Sequence, residues 1–238
     1  MSDAPSALLA RVPVSGVAAM RELVELIAAD EHAPTTVRDP AEAWRTHVLD
    51  SLSGLEIPAL RDGSRIADVG AGAGFPGMAL AAARPDAHVD LIEATARKCE
   101  FMRSALERAR IPNARVVNAR AEEWGASRPP DGGRGDADVV TARAVGRLAT
   151  LAELASPLLR EGGTLVAWKG RRDPAEEAEA ERAAERLAMR LDDVRSMAEA
   201  AGFEHRHLYV LTKSGPTPPG LPRRPGMAKK RPFGGQTP

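Results

Sequence analysis

Between Arg65 and Gly77 the chain reads R-I-A-D-V-G-A-G-A-G-F-P-G, with four glycines in eight residues directly behind a short apolar run. Ile66, Ala67 and Val69 predict a buried strand. Glycine at Gly70, Gly72 and Gly74 allows positive φ and lets a ligand approach the backbone closely. The apolar run Met78–Ala83 then predicts a helix. A strand passing through such a loop into a helix is the first turn of a nucleotide-binding α/β sheet, and its N–H groups face a polar or anionic ligand. An ordinary tight turn is the plainer alternative.

The rest of the chain supports that frame. Strands are predicted at 65–69, 88–92, 114–118, 137–141 and 164–168. Helices near 76–84, 95–110 and 147–160 separate them. The alternation predicts an α/β, Rossmann-like, doubly wound and mainly parallel sheet with ligands at the strands' carboxyl ends. Upstream, Val17, Met20, Leu23, Val24 and Ile27 fall at helical spacing. Asp39, Pro40 and Glu42 supply an N-cap, an N1 proline and a capping-box carboxylate for a second helix, with Trp44, Val48, Leu52 and Leu55 on one face. His47 on that helix reads as a packing or hydrogen-bonding residue. A charged helix is expected over 174–191 and a strand over 208–211, while 193–203 fits either strand or helix. The division is a helical cap at 1–62, a cofactor-binding domain at 63–214 and a basic Pro/Gly-rich tail at 215–238.

Two nucleotide classes compete for the loop. A literal G-x-G-x-x-G lies at Gly72, Gly74 and Gly77 and would suit a dinucleotide. Counted from the first glycine off the strand, Gly70, the third fingerprint position falls on Phe75, and Pro76 removes an N–H where a pyrophosphate needs one. D-V-G-x-G-x-G instead resembles the first motif of S-adenosylmethionine-dependent methyltransferases. Glu93, ending the second strand, would then accept the ribose hydroxyls.

Composition narrows the setting. A hydrophobic share of 43% with only 3% aromatic residues requires a core of Leu, Val and Ala. One cysteine, Cys99, excludes an intrachain disulfide and a Cys-based zinc site and suits a reducing compartment. No apolar run is long enough to span a bilayer and no signal-peptide pattern opens the chain, so a cytoplasmic protein is expected. Lys plus Arg and Asp plus Glu are equal at 33 each, yet His205–Pro238 holds seven Lys/Arg and no acid. Such a block at a chain end points to nucleic acid, or else to a solvated tail.

Several further stretches carry a family resemblance: V-R-D-P at 37–40 with R-T-H-V-L-D-S-L at 45–52, N-A-R-A-E-E-W at 118–124 and T-A-R-A-V at 141–145. W-K-G at 168–170, R-R-P-G at 223–226 and K-K-R-P-F at 229–233 complete the set. Together with the glycine loop they resemble the bacterial small-subunit rRNA guanine-N7 methyltransferases, the glucose-inhibited division protein B family. Ala33-Pro34-Thr35-Thr36 stands where that family usually has Asn-Leu-Thr, and Thr141-Ala142 replaces its usual serine. The resemblance implies S-adenosylmethionine contacts from Gly70, Phe75, Ala121, Glu122 and Arg143, beside Gly72, Gly74 and Glu93 from the loop and strand argument. It implies 16S rRNA or the small subunit as partner, with Arg120, Arg143, Lys169, Arg223, Arg224, Lys229, Lys230 and Arg231 as candidate RNA contacts. No metal ligand and no catalytic acid or base is nominated, because guanine N7 offers an in-plane lone pair and has no proton to lose. A monomer is expected. A small-molecule methyltransferase, a non-catalytic ribosome-assembly factor and, more distantly, an NAD-dependent oxidoreductase are the alternative readings.

Overall fold

The computed structural model describes residues 4–198 and 203–235. Helices α1 (Ala4–Leu9) and α2 (Val14–Ala29) lead into α3 (Pro40–Ala43), which continues through a π-helical turn at Trp44–Leu49 into α4 (Asp50–Leu52); a 3-10 turn and α5 (Pro58–Asp62) end the cap. The V-R-D-P stretch explains the junction. The Arg38 guanidinium donates to the carbonyls of Ile27, Asp30, Glu31 and Ala33 at 2.8–3.2 Å, satisfying acceptors orphaned where α2 ends. Asp39 accepts the Glu42 N–H at 2.8 Å and Pro40 opens α3.

A seven-stranded sheet follows: β1 (Arg65–Val69), β2 (His88–Glu93), β3 (Ala114–Asn118), β4 (Ala137–Arg143), β5 (Leu159–Lys169), β6 (Met189–Ser196) and β7 (His207–Lys213), in the order β3-β2-β1-β4-β5-β7-β6. The first five are parallel, while β7 runs antiparallel to β5 and β6. Helices α6 (Gly77–Ala83), α7 (Ala96–Arg108), α8 (Ala121–Trp124), α9 (Leu148–Ala155) and α10 (Pro174–Arg186) connect them. One core packs α2, α6 and α7 against Ile66, Leu91, Val139 and Val166. The other packs α9 and α10 against Val69, Val140, Leu165 and Leu211. Apolar residues on both faces of the central strands account for the poor alternation of their sequences.

Two boundaries differ from the sequence reading, and one stretch it left open is partly a strand. The helix expected to reach Leu191 stops at Arg186, and β6 begins at Met189, paired along its length with β7. The helix expected to reach 160 ends at Ala155, and β5 starts at Leu159. The undecided 193–203 stretch is strand as far as Ser196; residues 199–202 lie outside the described residues.

The tail departs most. Expected to lack any element, it contains α11 (Met227–Lys230) and folds back over α9 and α10. Leu221 and Ala228 are buried, and Thr150 Oγ1 donates to the Ala228 carbonyl at 3.1 Å. Arg223 pairs with the buried Glu153 at 2.6 Å and lies 4.1 Å from the centre of the Phe233 ring, which also has Arg186 at 4.8 Å.

Candidate functional site

The loop after β1 takes the conformation its glycines permit, with φ of +68° at Gly70, +61° at Gly72 and +94° at Gly74. A side chain at Gly74 would meet Met78 Cε at 1.9 Å. One at Gly72 would meet only the Gly70 carbonyl, at an ordinary contact distance of 3.7 Å. Behind the loop, Asp68 is fully buried; it accepts the Gly77 N–H at 3.0 Å and the Thr141 hydroxyl at 2.8 Å, which ties the loop's far end to β4. Burial pushes its carboxyl up to about 6 against the lowering pull of those two hydrogen bonds and Arg143.

A cleft of about 600 Å³ opens at the carboxyl ends of the central strands, within the size range of small-ligand sites. Gly70, Gly72, Phe75, Arg143 and Lys169 line it; Gly74, Glu93, Ala121 and Glu122 do not. Glu93 is nearly buried beneath the loop, accepting the Thr95 N–H at 2.8 Å and the Gly72 N–H at 3.2 Å. The strand-end carboxylate, expected from the sequence to accept ribose hydroxyls, thus also fixes the loop. Glu122 receives the Gly226 N–H from the tail at 2.8 Å. Lys169 Nζ is held by Glu176 at 2.7 Å and by the Gly146 carbonyl at 3.0 Å, so its charge is neutralised. Arg223 is likewise turned inward to Glu153, which removes it from the exposed basic set. Arg120, Arg224, Lys229, Lys230 and Arg231 are exposed.

The cap completes the cleft through a group the sequence reading did not assemble. Asp50 is fully buried. It receives Arg143 at 2.9 Å on one oxygen and Arg206 at 2.7 Å on the other, and its carbonyl accepts the Trp168 indole N–H at 2.8 Å. Arg143 also donates to the Thr46 carbonyl at 3.0 Å. His47 stacks on Phe75 with centroids 5.1 Å apart, its Nε2 3.0 Å from the Thr35 hydroxyl and its Nδ1 3.4 Å from Arg143. Arg143 therefore lines the cleft as a braced wall, its guanidinium held by Asp50, Thr46 and His47. The only sequence signal for Asp50 was its place in H-V-L-D-S-L, because both arginines arrive from distant segments. Just beyond Arg143, Ala144 lines the cleft at φ +58°, a conformation costly for alanine and held here by the loop around it.

Burial and Arg143 push the His47 imidazole down to about 4, partly offset by Asp50, so it is neutral at pH 7. In the unfolded chain His47 binds protons more readily, so its contribution to stability is present above pH 6.5 and lost as the pH falls toward 4. The expected loss approaches 1.4 kcal/mol per pH unit in that window. Asp68 runs oppositely, its contribution lost as pH rises from 3.8 through about 6. Urea unfolding of His47→Gln beside the unaltered protein isolates the histidine: the difference should shrink from pH 7 to pH 5, and a constant difference refutes the assignment.

A seven-stranded sheet of this order with a reversed β7 and a glycine loop after β1 defines a class I S-adenosylmethionine-dependent methyltransferase fold. Solved structures agree. A Methanococcus jannaschii fibrillarin pre-rRNA processing protein matches at TM-score 0.54 and 17% identity, over 70% of this chain and 74% of that one. A predicted O-methyltransferase from Agrobacterium tumefaciens matches at 0.50 and 25%, over 71% and 80%. These show the fold. The family model for rRNA small subunit methyltransferase G matches residues 18–209. Proteins named ribosomal RNA small subunit methyltransferase G from Rubrobacter xylanophilus and Desulfitobacterium hafniense are 41% and 36% identical. They cover 83% and 84% of this chain, and the matches span 76% and 81% of their own lengths. The chain belongs to the rRNA small subunit methyltransferase G family.

The cleft fits the cofactor of that family. Gly70 and Gly72 line the cleft without side chains, and a Cβ at Gly72 would touch only the Gly70 carbonyl at 3.7 Å. Replacing Glu93 by alanine should weaken S-adenosylmethionine binding by about 1.5–3 kcal/mol, the range for hydrogen bonds to a charged acceptor. A measurable drop in melting temperature should accompany it, because two backbone N–H groups lose their acceptor. Calorimetry showing an unchanged dissociation constant would remove Glu93 from the site.

Proposed function

We propose that this methyltransferase transfers a methyl group to N7 of a guanine in 16S rRNA, with Gly70, Gly72, Gly74, Phe75, Glu93, Ala121, Glu122 and Arg143 serving the cofactor. The observation carrying the reading is the cleft at the strands' carboxyl ends, which joins the glycine loop to a wall where Arg143 and Arg206 share the one Asp50 carboxylate. Within it, both nitrogens of His47 face partners. N7 needs no general base: its lone pair attacks in the ring plane and no proton leaves, so alignment and electrostatics do the work. S-adenosylmethionine supplies the electrophilic methyl. The loop glycines would seat it, Glu93 would bond its ribose, and Ala121 with Glu122 would border its adenine. Phe75, buried and covered by His47 and Arg143, holds that wall of the cleft in place.

Arg120, Arg143, Lys169, Arg224, Lys229, Lys230 and Arg231 remain the candidate RNA contacts. Arg120, Arg224 and the last three have the exposure that phosphate binding needs. Among the described residues no helix is long and apolar enough to cross a membrane, and no cluster of His, Cys, Asp and Glu could hold a metal. A monomer working in the cytoplasm fits this reading. Mapping 7-methylguanine in 16S rRNA from a strain lacking the gene tests it: one such modification should disappear and return on complementation. An unaltered pattern rules out the N7 assignment.

A further inference from the structure

We propose that Arg206 holds the RNA backbone beside the target guanine, and that Asp50 is the residue that aims it. The inference rests on the rRNA reading above. Arg206 lies just before β7, and its main chain is fixed on both sides: its N–H donates to the Phe203 carbonyl at 3.0 Å and its carbonyl accepts the Met197 N–H at 2.9 Å. Its Nε donates to Asp50 at 2.7 Å, while the two terminal nitrogens have no partner among the described residues. Arg143, on the same carboxylate, has 12% of its side chain exposed against 29% for Arg206 and uses its terminal nitrogens within the protein.

Charge points the same way. One buried carboxylate faces two guanidinium groups, so the cluster carries a surplus positive charge at the cleft wall. Arg206 borders two spaces at once: the cleft of about 600 Å³ and an adjoining groove of about 500 Å³ walled by Arg45, Phe203 and His205, with Glu204 its one acid. The cofactor belongs to the glycine-loop side. A ligand reaching across both spaces is a polymer, and a nucleotide whose base enters the cleft leaves its phosphates at the rim. A planar fork with Nε anchored and two NH₂ groups open matches non-bridging phosphate oxygens, which a lysine ammonium does not reproduce.

The test uses the full-length protein, an unmodified 16S rRNA transcript and S-adenosylmethionine. Arg206→Gln keeps an amide donor for Asp50 and removes the charge. Its cofactor dissociation constant should stay within about twofold, while RNA binding weakens about tenfold, the loss for one charge-assisted contact. The log–log salt slope of RNA binding should fall by about 0.7, one single-strand phosphate contact. Arg206→Lys should retain that slope and lose methyl-transfer rate, since charge survives and the fork does not. A folded Arg206→Gln protein with unchanged RNA affinity and salt slope overturns the proposal. So does weakened cofactor binding with an unchanged slope, which would assign Arg206 to the cofactor's carboxylate. If Arg206→Gln does not fold, Arg206→Lys decides alone, and transfer at the unaltered rate overturns the proposal. Failure of the unaltered protein to bind or methylate both the transcript and the small ribosomal subunit is a separate result, and it would overturn the rRNA reading itself.

Discussion

Asp50→Ala should lower unfolding stability by about 3–5 kcal/mol, the loss that follows when a buried ion pair is broken from one side. The variant leaves Arg143 and Arg206 facing each other with no carboxylate between them, and Arg143 has almost no solvent to turn to. Domains of this kind are stable by about 5–15 kcal/mol, so the loss should appear as a large fall in the urea midpoint. Asp50→Asn separates charge from shape. It fills the same volume and accepts one hydrogen bond, so about 1.5–3 kcal/mol is expected, the worth of hydrogen bonds to a charged group. Both variants should also act on His47. The Asp50 carboxylate raises the imidazole's proton affinity and Arg143 lowers it, so removing the carboxylate should hold His47 neutral to still lower pH. Carbon-detected or proton NMR titration of the ring would show this directly. An Asp50→Ala protein with the unaltered midpoint would mean that the arginines find solvent and that the cluster is not a brace.

The way this cluster escaped the sequence shows what a sequence can carry. The glycine loop, the strands at 65–69 and 114–118 and the helix expected over 95–110 are local statements: each depends on spacing within a few residues, and each stands within two residues of its expected bounds. Arg38 and Asp39 are local as well, a helix end and a helix start side by side. The Asp50 cluster is not. Its members are separated by 93 and 156 residues, and nothing near Arg206 marks it as a partner of the cap. Strand β6 failed for the same reason. Met189–Ser196 holds four charged residues in eight, so its first residues read as the end of the charged helix and its later ones fit either strand or helix. It is a strand because β7 supplies its hydrogen-bond partners, and that pairing is a tertiary fact.

The tail is the sharpest case. Its basic, Pro/Gly-rich composition was legible; its packing was not, because the Arg223 partner lies 70 residues away in α9. Truncation before Thr217 should therefore destabilise the fold and not merely weaken RNA binding. It would strip Glu153, 3% exposed, of its arginine and uncover the surface beneath Leu221 and Ala228. Breaking the Glu153 pair alone should amount to about 3 kcal/mol or more, and losing a buried leucine adds about 1.5–3 kcal/mol. Because Gly226 holds Glu122, S-adenosylmethionine affinity should fall as well. The RNA role then has to be sought in residues the fold does not use. Lys229, Lys230 and Arg231 are exposed on and beside α11, so changing all three to Gln should leave the melting temperature and cofactor affinity almost unaltered. If they bind RNA, the log–log salt slope should drop by about 2, at about 0.7 per single-strand contact. A truncated chain that melts with the full-length protein would show that the tail's contacts carry no stability. A triple variant with an unaltered salt slope would leave the tail as a structural strap whose hold on Glu122 is its contribution to the site.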